Sequence, residues 1–380
     1  MGPFQIEFWR LFVLAKCLAI FKNQRVDEQF PRQPLESRCS LKNERKRERP
    51  RMLSSILDCI GNTPLVGLKK MTPPRHEILQ AKCEFLNPGG SIKDRLGFYL
   101  LSQAEKRGEI QPGGTVVEAT SGNTGVGLAL YAAVRGYKCI FVMPDKMSEE
   151  KRQFLRAFGA QVVITPTGVP PESSESHYSV AAEIAKKTPN SFYANQYENP
   201  LNREMHFTWT GPELWEQTQG ECDALVAGMG TCGTISSVGR YLKEKKRDIQ
   251  IIGVDPEGSI LHDLFRKRTP APARPYLIEG IGEDIQPGNC DFSVVDDIVQ
   301  VSDCEAMQHT RALLSREGML VGTSSGAAVA GALKYLRDHP FKRVIVLLPD
   351  SGNRYLSKVF NDEWMKEKGF YEPKTWEATT

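Results

Sequence analysis

The chain has 380 residues, of which 40% are hydrophobic and 25% are charged. This balance is typical of a chain that buries a core, and it excludes collagen-like, coiled-coil and wholly disordered proteins. Residues 1–52 hold 12 Lys and Arg against 6 Asp and Glu, whereas the remainder holds 37 against 40, so the body of the chain is mildly acidic. Because a nucleic-acid-binding domain needs a basic surface, we expect no nucleic-acid partner.

The N-terminal 51 residues differ from the rest of the chain. The apolar run at 8–21 is shorter than the about 20 residues of a membrane span, and Arg10 and Lys16 interrupt it. The small residues of a signal-peptide cleavage site do not follow it. The charged stretch 42–51 is typical of disordered chain. We predict that 1–51 is a disordered basic extension and that the protein has no membrane partner. A membrane-surface or targeting role is the alternative.

Nine cysteines occur at irregular spacings. The sequence contains neither a Cys-x-x-Cys pair nor a His-Glu-x-x-His helix motif, so it offers no recognisable metal site. Scattered, unpaired cysteines in a chain of this size indicate a reducing compartment. We therefore expect no bound metal and a cytoplasmic location.

Apolar runs alternate with helical stretches from residue 115 onward. Strands are predicted at 115–119, 139–143, 161–164, 223–227, 249–254 and 343–348. Helices are predicted at 94–105, 125–135, 148–158, 176–187, 233–246 and 327–333. Continuous apolar strands that alternate with helices indicate parallel sheets with right-handed crossovers. The predicted fold is α/β and doubly wound, with two parallel-sheet subdomains around one cleft.

The first glycine-rich loop is Thr120–Gly125, which directly follows the strand at 115–119. In open α/β sheets, ligands bind beyond the carboxyl ends of the strands, where loops lead into helix N-termini. The loop offers hydroxyl groups, an amide and backbone N–H groups to a small anion. A capped tight turn without a ligand is the alternative interpretation, because Ser, Asn and Gly are common turn residues.

The second loop, Gly228–Thr234, contains the spacing Gly-x-Gly-x-x-Gly, and Asp255 ends the next strand about 20 residues later. This pattern is the dinucleotide-binding fingerprint with its ribose-binding acid. The same loop suits a single phosphate group held by N–H groups and the helix dipole equally well. The loop alone leaves both interpretations open.

A third loop, Gly322–Gly326, opens the helix at 327–333, and close packing of that helix on a sheet explains its glycines but not its three hydroxyl residues. Lys93 follows the turn Pro88–Gly90 at the start of the helix at 94–105. An isolated lysine is usually only solvated, but the dipole at a helix N-terminus disfavours its charge. A lowered pKa would make the Lys93 amine competent to form a Schiff base.

Four ordered motifs, Asn62–Leu65, Pro88–Arg95, Thr120–Gly125 and Gly230–Thr234, resemble those of the cysteine synthase/cystathionine β-synthase family, which are pyridoxal-phosphate enzymes of fold type II. The resemblance covers about residues 52–370. It implies a catalytic domain at 52–375, in which a smaller subdomain at about 95–200 is set within the larger one. It also implies a homodimer that acts on small amino-acid and thiol substrates.

The resemblance implies a role for each candidate site residue. Lys93 would carry pyridoxal 5′-phosphate as a Schiff base and act as the catalytic base. Asn123 would contact the 3′-oxygen of the cofactor, and Ser324 its pyridine nitrogen. The phosphate would be bound by Gly230, Thr231, Cys232, Gly233 and Thr234. The carboxylate of the amino-acid substrate would be bound by Thr120, Ser121, Gly122, Asn123 and Thr124. Cys232 departs from the family pattern, which usually has Gly, and is expected to crowd the phosphate loop.

The reaction implied is β-replacement on serine by a thiol. The segments Met143–Ser148, Gly253–Ser259 and Glu279–Gly282 look like cystathionine β-synthase, which favours serine and homocysteine as substrates. Thr210–Trp215 looks more like cysteine synthase, so the alternative is cysteine synthesis from O-acetylserine or serine and sulfide. A dehydratase, a non-catalytic relative and a nicotinamide oxidoreductase are the remaining alternatives.

Two accessories of animal cystathionine synthases are not expected. Ser37–Cys39 is similar to their haem-binding segment, but residues 1–75 contain no His to provide a second haem ligand. The sequence ends at Thr380, so we expect neither a C-terminal regulatory region nor activation by adenosylmethionine.

Overall fold

The structure is a computed structural model. It describes residues 52–74, 78–120, 122–145, 147–170 and 172–371. The described residues from Leu53 onward belong to one compact unit. The extension predicted at 1–51 lies outside the described residues and stays a prediction, as does its role.

The strands of the described chain form two sheets. They are β1 (Leu65–Gly67), β2 (Ile78–Cys83), β3 (Thr115–Ala119), β4 (Lys138–Pro144), β5 (Gln161–Thr165), β6 (Ser191–Tyr193), β7 (Ala224–Gly228), β8 (Gln250–Pro256), β9 (Asp297–Val301) and β10 (Arg343–Leu348). The smaller sheet has the order β5-β4-β3-β6 and is parallel throughout. The larger sheet has the order β1-β2-β10-β7-β8-β9, in which only β1 is antiparallel to its neighbour.

Helices connect most of these strands. They are α1 (Lys93–Arg107), α2 (Asn123–Arg135), α3 (Glu149–Ala157), α4 (His177–Lys187), α5 (Leu201–Met205), α6 (Gly211–Thr218), α7 (Gly233–Lys245), α8 (Leu261–Lys267), α9 (Asp303–Glu317), α10 (Thr323–Leu336) and α11 (Asp362–Glu367). A π-helical turn, His206–Thr210, joins α5 to α6. The alternation of parallel strands and helices confirms the predicted α/β class.

The larger sheet carries apolar side chains on both faces, as expected for parallel strands. On one face Val226 and Val346 pack with the small residues 327–330 of α10. On the other face Leu225 and Ile345 pack with residues of α6 and α7. Burial on both faces explains why these strands are continuous apolar runs in the sequence.

Glycines allow α1 and α2 to cross with their backbones in contact. A Cβ atom on Gly127 would lie 2.2 Å from the carbonyl oxygen of Lys93. A Cβ atom on Gly97 would lie 2.2 Å from the carbonyl carbon of Gly127. The crossing therefore places Lys93, at the start of α1, beside the first turn of α2, which begins at Asn123.

Most predicted elements are present with small shifts at their ends. β3 and β10 have the predicted bounds, and α1 begins at Lys93 itself. Ser148 caps α3, since its side chain accepts a hydrogen bond from the Lys151 N–H. The hydroxyl residues of the third loop form the first turn of α10. The sequence patterns did not indicate the strands β1, β2, β6 and β9, the long helix α9, or the shorter helices α5, α6, α8 and α11. The subdomain bounds at about 95–200 stay a prediction, although β3–β6 all lie within them.

Candidate active site

Lys93 is the residue around which the candidate site is arranged. Its Nζ donates a hydrogen bond to the Thr231 hydroxyl over 3.2 Å, so the first residue of α1 reaches the glycine-rich loop before α7. Burial lowers the pKa of Lys93 to about 8, and the acidic groups Glu283, Cys232 and Glu118 oppose this shift in that order. A larger fraction of the Lys93 amine is therefore neutral near pH 7 than for a lysine in water.

A hydrogen-bonded turn fixes the start of α1. The buried Asp94 side chain accepts a hydrogen bond from the Gly89 N–H over 2.5 Å, and Ser91 Oγ accepts one from the Lys93 N–H over 3.2 Å. Gly90 has φ +83°, a conformation that favours glycine. Burial raises the pKa of Asp94 to about 7. The Gly-Gly-Ser turn thus determines where the Lys93 side chain begins.

The loop before α7 has the donors that an anion needs. The backbone N–H groups of Thr231–Ile235 have no acceptor among the described residues, as is usual for the first N–H groups of a helix. They lie at the positive end of the α7 dipole. The Thr231 hydroxyl also accepts a hydrogen bond from Asn202 Nδ2 over 3.2 Å. This arrangement of helix N–H groups beside the Lys93 amine fits a bound phosphate.

The glycines of this loop make room for protein neighbours. A Cβ atom on Gly230 would lie 2.8 Å from the Gly280 carbonyl oxygen, and one on Gly233 would lie 2.2 Å from Asn202 Oδ1. The absence of a side chain at Gly233 allows Asn202 to reach Thr231. The role of Gly233 in phosphate binding stays a prediction. Thr234, the last residue of the predicted phosphate loop, has its hydroxyl 3.0 Å from Nε2 of the buried His206.

Cys232 adopts an unusual backbone conformation, with φ +61°. Its side chain is buried in an apolar cluster with Ile92, Met229 and Ile235, and its thiol donates a hydrogen bond to the Gly230 carbonyl over 3.1 Å. The crowding of the loop that we expected from this side chain is therefore accommodated by packing in the core. Cys232 thus stands where the resemblance predicts Gly, and its backbone keeps the left-handed conformation that glycine adopts most easily.

Two hydroxyl groups at the turn before α2 form hydrogen bonds within the protein. Thr120 Oγ1 accepts hydrogen bonds from the N–H groups of Gly122 (2.9 Å) and Gly125 (3.2 Å). Thr124 Oγ1 donates to Gln196 Oε1 over 2.5 Å. The N–H groups of Asn123 and Thr124 have no acceptor within the described part of the chain. The turn therefore offers a carboxylate these N–H groups and the proton of the Thr120 hydroxyl, which the two bonds accepted by Thr120 Oγ1 leave unused. Ser121 lies outside the described residues.

The Asn123 side chain is held from both ends of its amide. Its Nδ2 donates to Asp350 Oδ2 over 2.8 Å, and its Oδ1 accepts a hydrogen bond from the Arg354 guanidinium. Arg354 also donates to the Gly89 carbonyl oxygen in the turn before α1. Asp350 accepts a further hydrogen bond from the Tyr355 hydroxyl over 2.5 Å. The first turns of α1 and α2 are thus tied together at Asn123.

Ser324 lies in the first turn of α10 and is 2% exposed. A Cβ atom on Gly280 would lie 3.9 Å from Ser324 Oγ. Because the Gly280 carbonyl faces Gly230 across the loop before α7, Ser324 is close to that loop. The next hydroxyl, Ser325 Oγ, is buried without a hydrogen-bond partner among the described residues. The structure therefore brings the first turns of α1, α2, α7 and α10 to one region.

The dinucleotide interpretation fails at Asp255. This residue is the penultimate residue of β8 and is fully buried. Its Oδ2 accepts a hydrogen bond from the His262 N–H at the start of α8 over 2.9 Å. Burial raises the pKa of Asp255 to about 7. A buried side chain that caps a helix does not reach the two hydroxyl groups of a ribose, so the glycine pattern lacks its acidic partner.

Sequence reasoning missed several residues of the site. Gln196 and Asn202 follow the three-residue strand β6, which is too short to recognise from its pattern. Glu118 is buried in β3, where its Oε1 accepts a hydrogen bond from the Gln196 N–H over 3.2 Å. Burial raises the pKa of Glu118 to about 8, and its Oε2 has no partner among the described residues. A carboxyl group inside an apolar strand was the available signal.

A salt-bridge cluster closes one side of the site. Glu279 binds both Lys151 (2.5 Å) and Lys358 (2.7 Å), and it joins α3 to the segment that precedes α11. The Lys151 side chain packs against Gly122, where a Cβ atom would lie 3.1 Å away. Lys151 also lies over the Tyr355 ring, 4.9 Å from its centroid. The cluster thus connects the turn before α2 to the segment 279–282.

The cysteines from Cys59 to Cys304 are free thiols. Among the described residues, no group of three or more His, Cys, Asp or Glu side chains is placed to hold a metal ion. The described part of the chain has no helix that is long and apolar enough to cross a membrane.

Comparison with known proteins identifies the family. A family model described as "Pyridoxal-phosphate dependent enzyme" matches residues 56–350. The chain is similar to cystathionine β-synthase of Apis mellifera, with 46% identity over 85% of this chain and 64% of that protein. It is also similar to cysteine synthase of Staphylococcus aureus, with 39% identity over 80% of this chain and 96% of that protein. The chain spans less than two thirds of the length of the curated cystathionine β-synthases that it matches.

A solved structure supports the same assignment. The O-acetylserine-dependent cystathionine β-synthase of Helicobacter pylori has 40% identity and a TM-score of 0.74, and the match covers 81% of this chain and 98% of that one. The residues of the site fit pyridoxal phosphate, because a lysine amine with a lowered pKa adjoins a helix N-terminus whose N–H groups lack acceptors. The chain belongs to the pyridoxal-phosphate-dependent enzymes of fold type II, in the cystathionine β-synthase/cysteine synthase group.

Proposed function

We propose that this enzyme joins serine and homocysteine to form cystathionine and water. The observation that carries the reaction type is the contact of Lys93 Nζ with Thr231 Oγ1 in the phosphate-type loop. The choice of substrates is supported by relatives named cystathionine β-synthase, which are 41–46% identical to this chain. The comparable match to cysteine synthase leaves O-acetylserine or serine with sulfide as a second candidate.

We assign the cofactor contacts as follows. The N–H groups of the loop Gly230–Thr234 would bind the phosphate at the positive end of α7. Asn123, oriented by Asp350 and Arg354, would contact the 3′-oxygen. Ser324 would hydrogen-bond the pyridine nitrogen. A neutral hydroxyl at this nitrogen does not keep it protonated, which favours loss of the β-substituent over transamination.

The amino-acid substrate would be held by the turn before α2. The N–H groups of Asn123 and Thr124 and the dipole of α2 would bind its carboxylate. Bound pyridoxal phosphate supplies the electron sink for cleavage of the Cα–H bond and the bond from Cβ to the leaving group. The Lys93 amine, once released, would remove the Cα proton, because its lowered pKa suits a base that works near neutral pH.

Steady-state kinetics with four substrate pairs tests this function. Serine or O-acetylserine is combined with homocysteine or sulfide, and we expect the largest kcat/KM for serine with homocysteine. A larger value for O-acetylserine with sulfide would establish the second candidate instead. Absence of turnover with all four pairs would support a non-catalytic relative, and release of pyruvate and ammonia in the presence of the thiol would support a dehydratase.

Lys93→Ala should remove the visible absorbance of the bound cofactor and lower turnover by at least about 100-fold. The matched control is Lys106→Ala, which changes an exposed lysine on the same helix and should alter neither property. We further propose that the enzyme is a cytoplasmic homodimer, as members of this group with the same motifs suggest. Sedimentation of the purified protein tests the dimer, and fractionation of cells tests the location.

A further inference from the structure

A buried histidine lies behind the loop that precedes α7. His206 opens the π-helical turn that joins α5 to α6, and its side chain is fully buried. Its Nε2 lies 3.0 Å from the Thr234 hydroxyl oxygen, and its Nδ1 lies 3.0 Å from the Thr210 hydroxyl oxygen. Both ring nitrogens are therefore within hydrogen-bond distance of a hydroxyl group, and one of these two hydroxyl groups belongs to the predicted phosphate loop.

The ring of His206 is neutral. Burial lowers the pKa of His206 well below its usual value of 6.5, and the positive charges of Lys93 and then Arg95 lower it further. A neutral imidazole carries one N–H proton, so one ring nitrogen donates a hydrogen bond and the other accepts one. If Nδ1 accepts from Thr210, Nε2 donates to Thr234, and the other tautomer exchanges both roles. The direction of the bond to Thr210 therefore fixes the direction of the bond to Thr234.

The surroundings of Thr210 determine that direction. Thr210 is buried, and its other hydrogen bond among the described residues goes to the Met205 sulfur over 3.9 Å. A thioether sulfur is a weak acceptor, whereas the imidazole nitrogen is nearer, at 3.0 Å, and stronger. The Thr210 proton therefore goes to Nδ1 of His206. The ring proton is then on Nε2, where it faces Thr234.

A hydroxyl group that accepts a hydrogen bond from Nε2 keeps its own proton for another partner. Thr234 lies in the first turn of α7, where the N–H groups of the loop have no acceptor among the described residues. Thr234 is partly exposed, whereas Thr210 is buried. The Thr234 hydroxyl can thus donate its proton to the same anion as the backbone N–H groups of the loop.

The other hydroxyl residue of the loop is held in the same way. Asn202 Nδ2 donates to the Gln196 carbonyl oxygen over 2.9 Å and to Thr231 Oγ1 over 3.2 Å. Because a carbonyl oxygen only accepts, the bond to Gln196 fixes which end of the Asn202 amide carries the protons. Thr231 therefore accepts a hydrogen bond from a buried side chain, as Thr234 does, and retains its own proton.

We propose that His206 is a positioning residue, whose ring holds the Thr234 hydroxyl as an acceptor and thereby directs the Thr234 proton to the phosphate group of the cofactor. The hydrogen bonds then run in one direction from Thr210 through His206 to Thr234 and the phosphate. Each donor in such a chain strengthens the next bond. This inference rests on the proposed role of the loop Gly230–Thr234, and it gives His206 no contact with the reacting atoms.

The position of the ring proton in the wild-type protein is the first test. Nitrogen NMR of protein with isotope-labelled histidine distinguishes a protonated ring nitrogen from a bare one. The spectrum is recorded for the cofactor-loaded protein, and comparison with His206→Asn shows which of the six histidines is His206. We expect the proton on Nε2. A proton on Nδ1 would mean that Thr234 donates to the ring instead of the phosphate, which would overturn the inference.

Cofactor binding by variants is the second test, and it compares pyridoxal 5′-phosphate with pyridoxal, which lacks the phosphate group. His206→Asn should lower the affinity of the cofactor-free protein for pyridoxal 5′-phosphate by about 2- to 10-fold, the range for one neutral hydrogen bond. Its affinity for pyridoxal should not change. His206→Gln, whose longer side chain carries an amide to the position of Nε2, should recover part of the loss. His309→Asn, on α9, is the matched control.

Thr234→Val shows whether His206 acts through the hydroxyl group. This substitution keeps the shape of the side chain and should lower the affinity for pyridoxal 5′-phosphate by about 10- to 100-fold, the range for a hydrogen bond to a charged group. If His206 acts only through Thr234, His206→Asn should cause no further loss in the Thr234→Val protein. The same loss in both backgrounds would mean that His206 has a structural role alone, and the inference would be wrong.

The outcomes separate this inference from the proposed function. If the wild-type protein binds pyridoxal as tightly as pyridoxal 5′-phosphate, the loop is not the phosphate site, and the proposed cofactor contacts are wrong together with the inference. If the wild-type protein prefers the phosphorylated form but His206→Asn lowers both affinities equally, only the inference is wrong. The melting temperature shows whether each variant is folded.

Discussion

The Lys93 amine is subject to two opposing electrostatic influences. Burial disfavours its positive charge, whereas the acidic groups Glu283, Cys232 and Glu118 favour it. Burial has the larger effect, so the pKa falls from 10.5 to about 8. The amine is then charged in most molecules at pH 7, but the neutral fraction is far larger than for a solvated lysine.

This balance predicts how cofactor uptake depends on pH. Only the neutral amine attacks the aldehyde of pyridoxal phosphate, so the rate of incorporation into the cofactor-free protein should rise with pH and level off above about pH 8. Glu283→Gln removes a group that raises the Lys93 pKa, so the midpoint should move to lower pH. The growth of visible absorbance after mixing measures the rate. A midpoint near 10.5 would contradict the lowered pKa.

At the level of single residues, the sequence predicts the residues of the candidate site that belong to a recognisable motif. Lys93 follows a Gly-Gly-Ser turn, and the loop Gly230–Thr234 has a recognisable glycine spacing. Glu283 belongs to no motif, and its effect on the Lys93 pKa exists only after the chain between 93 and 283 has folded. The burial that lowers the Lys93 pKa is likewise a tertiary property.

At the level of elements, the crossing of α1 and α2 determines the geometry of the site. Gly97 and Gly127 bring the two backbones into contact, and this contact aligns Lys93 with Asn123. A Cβ atom on Gly127 would meet backbone atoms of Lys93 at 2.2 and 2.7 Å. Since backbone atoms cannot rotate aside as a flexible side chain does, any side chain at position 127 must separate the helices.

Gly127→Ala should therefore lower both stability and cofactor retention. We expect a loss of about 1–3 kcal/mol in the free energy of unfolding, the usual cost of overpacking. Gly136→Ala, at the end of the same helix, is the matched control, because no atom lies within 4 Å of its Cβ position. Gly136 has φ +79°, so the control should lose about 1–2 kcal/mol through backbone strain alone.

Cofactor content after dialysis distinguishes the two glycine variants. Gly127→Ala should lose pyridoxal phosphate, whereas Gly136→Ala should retain it despite a similar loss of stability. Equal retention by both variants would show that the helix crossing does not position Lys93. Urea unfolding supplies the stability measurement for the comparison.

Strands could be predicted from the sequence where an apolar pattern along the chain matches the burial of the strand in the fold. The segments that form β3 and β10 are continuous apolar runs because these strands are buried on both faces of their sheets. β2 was missed because it contains Lys82, a residue that is rare in buried strands. Its charge is satisfied by Glu213, on α6, which no local pattern can indicate. β6 has only three residues, too few for any periodicity.

At the level of the whole molecule, a buried ion cluster joins distant parts of the chain. Arg95 forms paired hydrogen bonds with both Glu84 and Glu213, at 2.7–2.8 Å. Lys82 binds Glu213 and also donates to the Thr63 carbonyl over 2.6 Å. The cluster therefore connects the loop before β1, β2, α1 and α6. Two cations and two anions balance one another, which makes their burial tolerable.

The whole-molecule prediction concerns Glu213. Burial raises its pKa, but Arg95 and then Lys82 outweigh that effect and lower the pKa from 4.5 to about 2. A carboxyl group with a lower pKa in the folded state stabilises the fold above its unfolded pKa. That contribution should be complete above pH 4.5 and should decline as the pH falls from 4.5 towards about 2.

Glu213→Gln should lower the free energy of unfolding at neutral pH by about 3–5 kcal/mol, because it leaves Arg95 and Lys82 buried with one anion fewer. The matched control is Glu216→Gln, an exposed carboxyl group on the same helix, which should change little. Urea unfolding at several pH values gives the difference between control and variant. This difference should shrink as the pH falls from 4.5 towards about 2, since the Glu213 carboxylate is then protonated in the unfolded wild-type chain while it stays ionised in the folded one. A difference that stays constant down to about pH 2 would mean that the variant destabilises the protein through packing rather than through the lost charge.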